Sequence, residues 1–165
     1  MPARVLQLNI SQGGLPKISI AKALVTPWGL EGDSHAHPNI HGGPRQAILL
    51  IASEVVDDFI ARGYPLFYGA LGENITTVEL NHRTWRQGQR YRLGSDVIIE
   101  LTSPRGPCAA LDMYGAGLRC DIYDRQVKER DPASPRWGLS GFYASVIHGG
   151  LLIPGAPIQL MDQLC

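Results

Sequence analysis

The chain has 165 residues, of which 44% are hydrophobic and 18% charged, a composition typical of one soluble globular domain spanning residues 1–165. Its 15 basic and 15 acidic residues give a formal charge of zero, which argues against a general nucleic-acid binder. There is no run of about 18 apolar residues and no signal-peptide pattern at the start, so we expect a cytoplasmic protein that does not cross a membrane.

The distribution of turn-forming residues indicates a mainly β protein. The 19 glycines and 12 prolines are spread through the chain, as in folds with many tight turns between short strands. Alternating or buried apolar runs predict about eight strands, at residues 4–10, 18–25, 46–51, 75–80, 89–93, 97–102, 142–147 and 157–161. We therefore predict a closed or nearly closed β-barrel with a few short helices, because closure removes unprotected strand edges.

One amphipathic helix is predicted over residues 53–62. Ser53 can cap its start and Gly63 can end it, and its apolar stripe is formed by Val55, Val56, Phe59 and Ile60. A weaker helical pattern lies between residues 114 and 135.

A long loop at residues 28–45 carries three histidines without helical or strand periodicity. Imidazole is the commonest transition-metal ligand, but the spacing of His35, His37 and His41 matches no zinc motif. The alternative is a polar loop with one functional histidine, His41. The two glycines that follow His41, together with Arg45, could hold a phosphate.

Three polar residues at turns are further candidates for ligand binding. Lys17 follows a glycine turn and could contact an anion, although a lysine at a strand start is more often a solvated edge residue. Glu73 and Asn74 lie in the glycine-rich turn at residues 68–75, where they could hydrogen-bond either the backbone or a ligand.

The segment 101–111 carries the candidate reactive group, Cys108. A hydrophobic strand runs into two prolines, Arg105 and this cysteine, and the prolines prevent a helix before it. Good helix formers follow, so Cys108 is predicted at a helix start, where backbone N–H groups favour a thiolate. A thiolate is both a nucleophile and a soft-metal ligand, whereas the alternative is a small buried hydrophobic side chain. Cys108, Cys120 and Cys165 are too few for a disulfide framework.

Four motifs, in this order, resemble the MOSC family, the domain named for the C-terminal part of molybdenum-cofactor sulfurases. They are GLEGDSHAHPNIHGG at residues 29–43, LGENI at 71–75, GQRYRLGSDVIIELTSPRGPCAAL at 88–111 and GLSGFYASVIHGGLLIPGAPIQL at 138–160. The chain is most similar to the small stand-alone bacterial members. The resemblance implies a β-barrel and a molybdenum cofactor (molybdopterin), with the cysteine matching Cys108 ligating molybdenum or carrying sulfur.

The resemblance also implies residues that anchor the cofactor in the surrounding loops. The positions that match family motifs are Asp33, His41, Glu73, Asn74 and Arg105. One position departs from the pattern, because Leu139 stands where the family usually has an arginine. A phosphate contact there is missing or is supplied by Arg136.

Two functions remain open at this stage. The first is reduction of a small N-hydroxylated substrate at a Cys108-ligated molybdenum centre. Because the sequence has neither a GxGxxG fingerprint nor a multi-cysteine iron–sulfur pattern, a separate electron-transfer reductase would supply the electrons. The second is a sulfur (persulfide) carrier, served by a cysteine desulfurase, or a cofactor-binding module without turnover.

Overall fold

The computed structural model describes residues 1–34 and 43–161, which form a mainly β fold with a few short helices. The strands are β1 Arg4–Ile10, β2 Ile18–Ile20, β3 Ala23–Thr26, β4 Gly29–Leu30, β5 Ile48–Ala52, β6 Ile75–Val78, β7 Arg90–Leu93, β8 Val97–Pro104, β9 Phe142–His148, β10 Gly150–Leu152 and β11 Ile158–Leu160. The α-helices are α1 Ser53–Ala61, α2 Leu118–Ile122 and α3 Arg125–Lys128. Short 3-10 helices span Pro44–Gln46, His82–Thr84 and Ala109–Tyr114.

The strands form a large sheet and a small one. The large sheet has eight strands in the order β11-β7-β8-β9-β5-β6-β1-β2, and the small one has three in the order β10-β3-β4. Neighbouring strands are antiparallel except β5 and β6, which are parallel and are connected through α1. This arrangement brings the C-terminal end of β8 beside the start of β9, with Pro104 opposite Phe142.

Of the predicted closed or nearly closed β-barrel with a few short helices, the mainly β fold and the short helices are confirmed, but neither sheet is closed into a barrel. The start of β1 does approach the chain before β11, where the Val5 amide donates to the Ala156 carbonyl at 2.9 Å. Beyond Pro157, the Ile158 amide donates to the Ala3 carbonyl at 2.9 Å. These hydrogen bonds flank an isolated bridge between Arg4 and Pro157, and no longer ladder joins β1 to β11.

Several predicted elements differ in detail. The strand predicted at residues 18–25 is divided into β2 and β3, which belong to different sheets. The weak helical pattern corresponds to α2 and α3, and β4 and β10 were not predicted. Ser53 is the first residue of α1 and not its cap, since Ala52 occupies that position and no side chain caps the helix.

The core includes buried residues of both sheets and of the three α-helices, and it contains an aromatic cluster at the β8–β9 end. Trp85 and Trp137 both pack edge-on against Phe142, with ring centroids 6.0 and 5.5 Å apart. The Trp137 indole N–H donates to the Trp85 carbonyl at 2.8 Å, which satisfies the polar atom of a buried ring. No helix in the described part of the chain is long and apolar enough to span a membrane.

We expect Phe59→Ala to lower the free energy of unfolding by about 3–5 kcal/mol, the usual cost of emptying an aromatic core position. Phe59 is fully buried in α1, with its ring 5.8 Å from that of Tyr64. Ile60→Ala is the matched control, because Ile60 is the next residue of the same helix and is 42% exposed. Urea unfolding measures both, and equal losses for the two variants would contradict this account of the core.

Candidate functional site

Cys108 lies at the corner that follows β8. It has extended backbone angles and occupies the N-cap position of the 3-10 helix Ala109–Tyr114, as predicted for a helix start. The Leu111 amide donates to the Cys108 carbonyl at 3.1 Å, which closes the first turn. The side chain itself caps nothing and is half-buried, so the thiol is free to react or to bind a metal.

A polar cavity of about 270 Å³ opens beside this corner. It is lined by Gln46, Ser103, Pro104, Gly106, Tyr123, Arg130 and Tyr143. Burial raises the pKa of the Tyr143 hydroxyl, Arg105 opposes this shift, and the charge of a Cys108 thiolate adds to it. Cys108 therefore lies within electrostatic reach of a residue that lines the cavity.

Lys17 and Asp33 form a buried ion pair. The Lys17 Nζ is 2.5 Å from the Asp33 Oδ2, and 9% and 3% of their side chains are exposed. The other carboxylate oxygen of Asp33 accepts a hydrogen bond from the Ser11 amide at 2.9 Å. Lys17 is therefore not a solvated edge residue, and its charge is paired inside the protein.

Asn74 connects this ion pair to the sheet. Its side-chain N–H donates to the Asp33 Oδ2 at 2.9 Å, and its side-chain oxygen accepts from the Leu49 amide at 3.1 Å. Its backbone carbonyl accepts from the Asn9 amide at 2.8 Å. Asn74 thus fastens the turn before β6 to both β1 and β5.

Glu73 is fully buried, and its carboxylate is only half satisfied. One oxygen accepts from the Gly69 amide, while the other, Oε2, has no hydrogen-bond partner among the described residues. Burial raises the pKa of Glu73 to about 7, against the opposing effects of the Gly69 amide, Arg105 and Lys17. At neutral pH, a substantial fraction of Glu73 is therefore uncharged.

Arg105 is 5% exposed, and its guanidinium binds protein carbonyls. Its Nη2 donates to the Leu71 carbonyl, and its Nη1 donates to the Ser140 carbonyl at 3.3 Å. The Ser140 hydroxyl returns a hydrogen bond of 2.6 Å to the Arg105 carbonyl. In this arrangement Arg105 joins three loops around the start of the Cys108 corner.

The structure thus brings together Lys17, Asp33, Asn74, Glu73 and Arg105, but it pairs most of their polar atoms with protein groups. Direct contacts between these five residues and a cofactor stay predictions. The same holds for Arg45, which is exposed in the 3-10 helix Pro44–Gln46, and for His41, which lies outside the described residues together with His35 and His37.

Two further expectations can be compared with the structure. Leu139 is half-buried against the core, and the Arg136 Nη1 lies 3.7 Å from the Asp124 carboxylate, so Arg136 faces an acid. Among residues 1–34 and 43–161, no cluster of three or more His, Cys, Asp or Glu side chains could hold a metal ion. Within that range, Cys108 would be a single protein ligand.

Of the cavity-lining residues, Ser103, Pro104 and Gly106 lie in the segment 101–111 that the sequence singled out, whereas the other four were missed. The lining residues come from five separate parts of the chain, and no local pattern distinguishes Gln46, Tyr123 or Arg130 from ordinary surface residues. Arg130 is distinguished by its backbone conformation, a positive φ of 64°, which only the structure provides.

Comparisons with known proteins agree with the motif order. The family model of the MOSC domain matches residues 37–159. The chain is 31% identical over 137 residues to the uncharacterized protein YflK of Bacillus subtilis, and 31% identical over 157 residues to protein YiiM of Escherichia coli. These alignments cover 81% and 91% of this chain but 56% and 64% of the relatives, so the chain spans less than two thirds of their length.

The fold is also similar to a solved structure. YiiM from Geobacillus stearothermophilus superposes with a TM-score of 0.70 at 25% sequence identity, over 98% of this chain and 76% of that chain.

Glu73 makes stability depend on pH in a defined direction. Its folded-state pKa of about 7 lies above the ordinary 4.5, so the folded state holds the proton more tightly than the unfolded state does. The contribution to stability is complete below pH 4.5 and is lost as pH rises through 7, by about 3 kcal/mol at most. Glu73→Gln should remove this loss, and urea unfolding of both proteins at pH 4.5, 6 and 8 measures it. If the free energy of unfolding changed with pH in the same way in both proteins, the raised pKa of Glu73 would be contradicted.

Proposed function

Because this chain belongs to the MOSC domain family, we propose that it binds a molybdenum cofactor and reduces small N-hydroxylated compounds with it. MOSC domains are associated with molybdenum-cofactor binding in general. The observation that supports the proposal most directly is the half-buried thiol of Cys108 beside a polar cavity. The reductive activity and the identity of the substrate rest on the likeness of the motifs.

The residues around the cavity fit a pterin-bound metal. A thiolate is a soft ligand, and neighbouring hydroxyl and amide groups suit a heterocycle with many nitrogen and oxygen atoms. The side-chain oxygen of Gln46 is buried there without a hydrogen-bond partner among the described residues. A bound group that donates a hydrogen bond to Gln46 would satisfy this oxygen.

The roles of the chain's own residues follow from their positions. Cys108 would hold the metal through its Sγ. Tyr143, whose raised pKa keeps its hydroxyl protonated at neutral pH, can donate a hydrogen bond into the cavity. The bound cofactor would supply a two-electron reduction in which R–NHOH, two electrons and two protons give R–NH2 and water. The electrons would come from a separate electron-transfer protein.

Sulfur transfer is the second candidate function. It is favoured by the half-exposed free thiol of Cys108. In that case, a cysteine desulfurase would transfer a sulfur atom to Cys108. The chain would then carry a persulfide and be heavier by one sulfur atom.

Cys108→Ser should abolish molybdenum retention and leave the fold intact. The hydroxyl is close in size to the thiol but does not lose its proton near neutral pH, so it is a poor ligand for a soft metal. The measurement is molybdenum and pterin content per chain after expression in molybdenum-replete cells, with the melting temperature as a check on folding.

Cys120→Ser is the matched control, since Cys120 is exposed in α2, whereas Cys108 is half-buried at the corner after β8. It should retain wild-type molybdenum content. Full molybdenum content in Cys108→Ser would refute the ligand assignment. A mass increase of one sulfur on Cys108 without metal would favour sulfur transfer instead.

A further inference from the structure

We propose that the cavity beside Cys108 contains an oxyanion subsite anchored by Arg130, which binds a carboxylate or phosphate group of the substrate. The subsite is inferred from the cavity alone. That the anionic group belongs to the substrate rests on the proposed function.

The charge of the cavity lining favours an anion. Arg130 contributes a positive charge, and no described residue of the lining is acidic. Hydroxyl donors are present on Ser103, Tyr123 and Tyr143. A guanidinium surrounded by hydroxyls is a typical setting for binding oxyanions, because these groups donate hydrogen bonds and the charge strengthens them.

The Arg130 guanidinium is also free of protein partners in the described part of the chain, where it forms no hydrogen bond and no ion pair. Arg125, in the helix α3 that precedes Arg130, instead pairs with Glu129 at 2.8 Å, and Arg136 lies 3.7 Å from Asp124. Arg130 is therefore available to a ligand at the wall of a cavity, whereas these two neighbours each face an acid.

The backbone at Arg130 gives an independent reason to assign a function to this side chain. Its amide donates to the Val127 carbonyl at 3.0 Å, and the Asp131 amide donates to the Gln126 carbonyl at 2.9 Å. These two bonds are a Schellman motif, in which the residue with positive φ is usually glycine. Arg130 occupies that position with a φ of 64°, a conformation that side chains with a Cβ disfavour. A strained residue at a cavity is the pattern expected when its side chain is retained for binding.

Gln46 also lines the cavity, and its NH2 group can donate a hydrogen bond to an anion.

The test uses inorganic phosphate as the probe and the full-length, cofactor-free protein at constant ionic strength. We expect saturable shifts of the amide NMR signals of Ser103, Gly106 and Arg130, with matched chloride giving none. Arg130→Gly should weaken phosphate binding about tenfold or more, because it removes a charge-assisted hydrogen bond. Its melting temperature should be no lower than that of the wild type, since glycine suits the positive φ.

Two control variants separate binding from general effects. Arg125→Ala removes an exposed charge from α3, the helix that precedes Arg130, and should leave phosphate binding unchanged. Glu79→Gly changes the other non-glycine residue with positive φ in the described chain, at 61°, and should also leave it unchanged. Non-saturating shifts, or equal binding by Arg130→Gly and the wild type, would overturn the proposal.

The cofactor-loaded protein identifies the source of the anion. If it still binds phosphate, the subsite serves the substrate, whereas loss of phosphate binding on loading would overturn that assignment. A chain that binds phosphate at Arg130 but retains no molybdenum would support the subsite and refute the proposed function.

Discussion

The guanidinium of Arg105 holds the end of β8 between two loops that are distant in sequence. It donates hydrogen bonds to the carbonyls of Leu71 and Ser140, while its own carbonyl accepts from the Ser140 hydroxyl. Pro104, the last residue of β8, lines the cavity, and Cys108 follows Arg105 by three residues. The position of the candidate site therefore depends on this buried cation.

A buried cation needs compensating groups, because removing a charge from water is unfavourable. Carbonyl oxygens supply part of the compensation, and Arg105 lies close enough to Glu73 to oppose the rise in the pKa of its carboxyl group. Burial nevertheless dominates at Glu73 and keeps its pKa near 7. Lys17 and Asp33 neutralise each other in a nearby ion pair. Asp33 also accepts a hydrogen bond from Asn74, so polar contacts hold the LGENI turn at Asn74 as well as at Leu71.

The sequence was informative where one periodicity decides the structure. Alternation predicted β1 and the β7–β8 hairpin, and the apolar stripe with Phe59 predicted α1, because each pattern buries one face of a regular element. The short 3-10 helix after Cys108 also followed from local chemistry. Whether the large sheet closes could not be predicted in this way, since it depends on the contact between β1 and Pro157, which lies more than 150 residues later in the chain.

The polar residues of the motifs show a different limit. Sequence patterns singled out Lys17, Asp33, Glu73, Asn74 and Arg105, and the structure does bring them together. These residues contact one another and the backbone. Residue type alone does not distinguish such contacts within the protein from contacts with a ligand. Gln46, Tyr123 and Arg130 carried no signal because the cavity is assembled from segments that tertiary packing brings into contact.

Amide hydrogen–deuterium exchange of Arg105→Ala tests the central claim that this residue positions the site. We predict faster exchange in residues 69–74, 103–111 and 138–142, with the rest of the sheet unchanged, because three loops lose a common partner. Arg90→Ala is the control, since its ion pair with Glu100 at 2.8 Å lies on the exposed side of the same sheet and should affect none of these segments. Unchanged exchange in all three segments of Arg105→Ala would contradict the account.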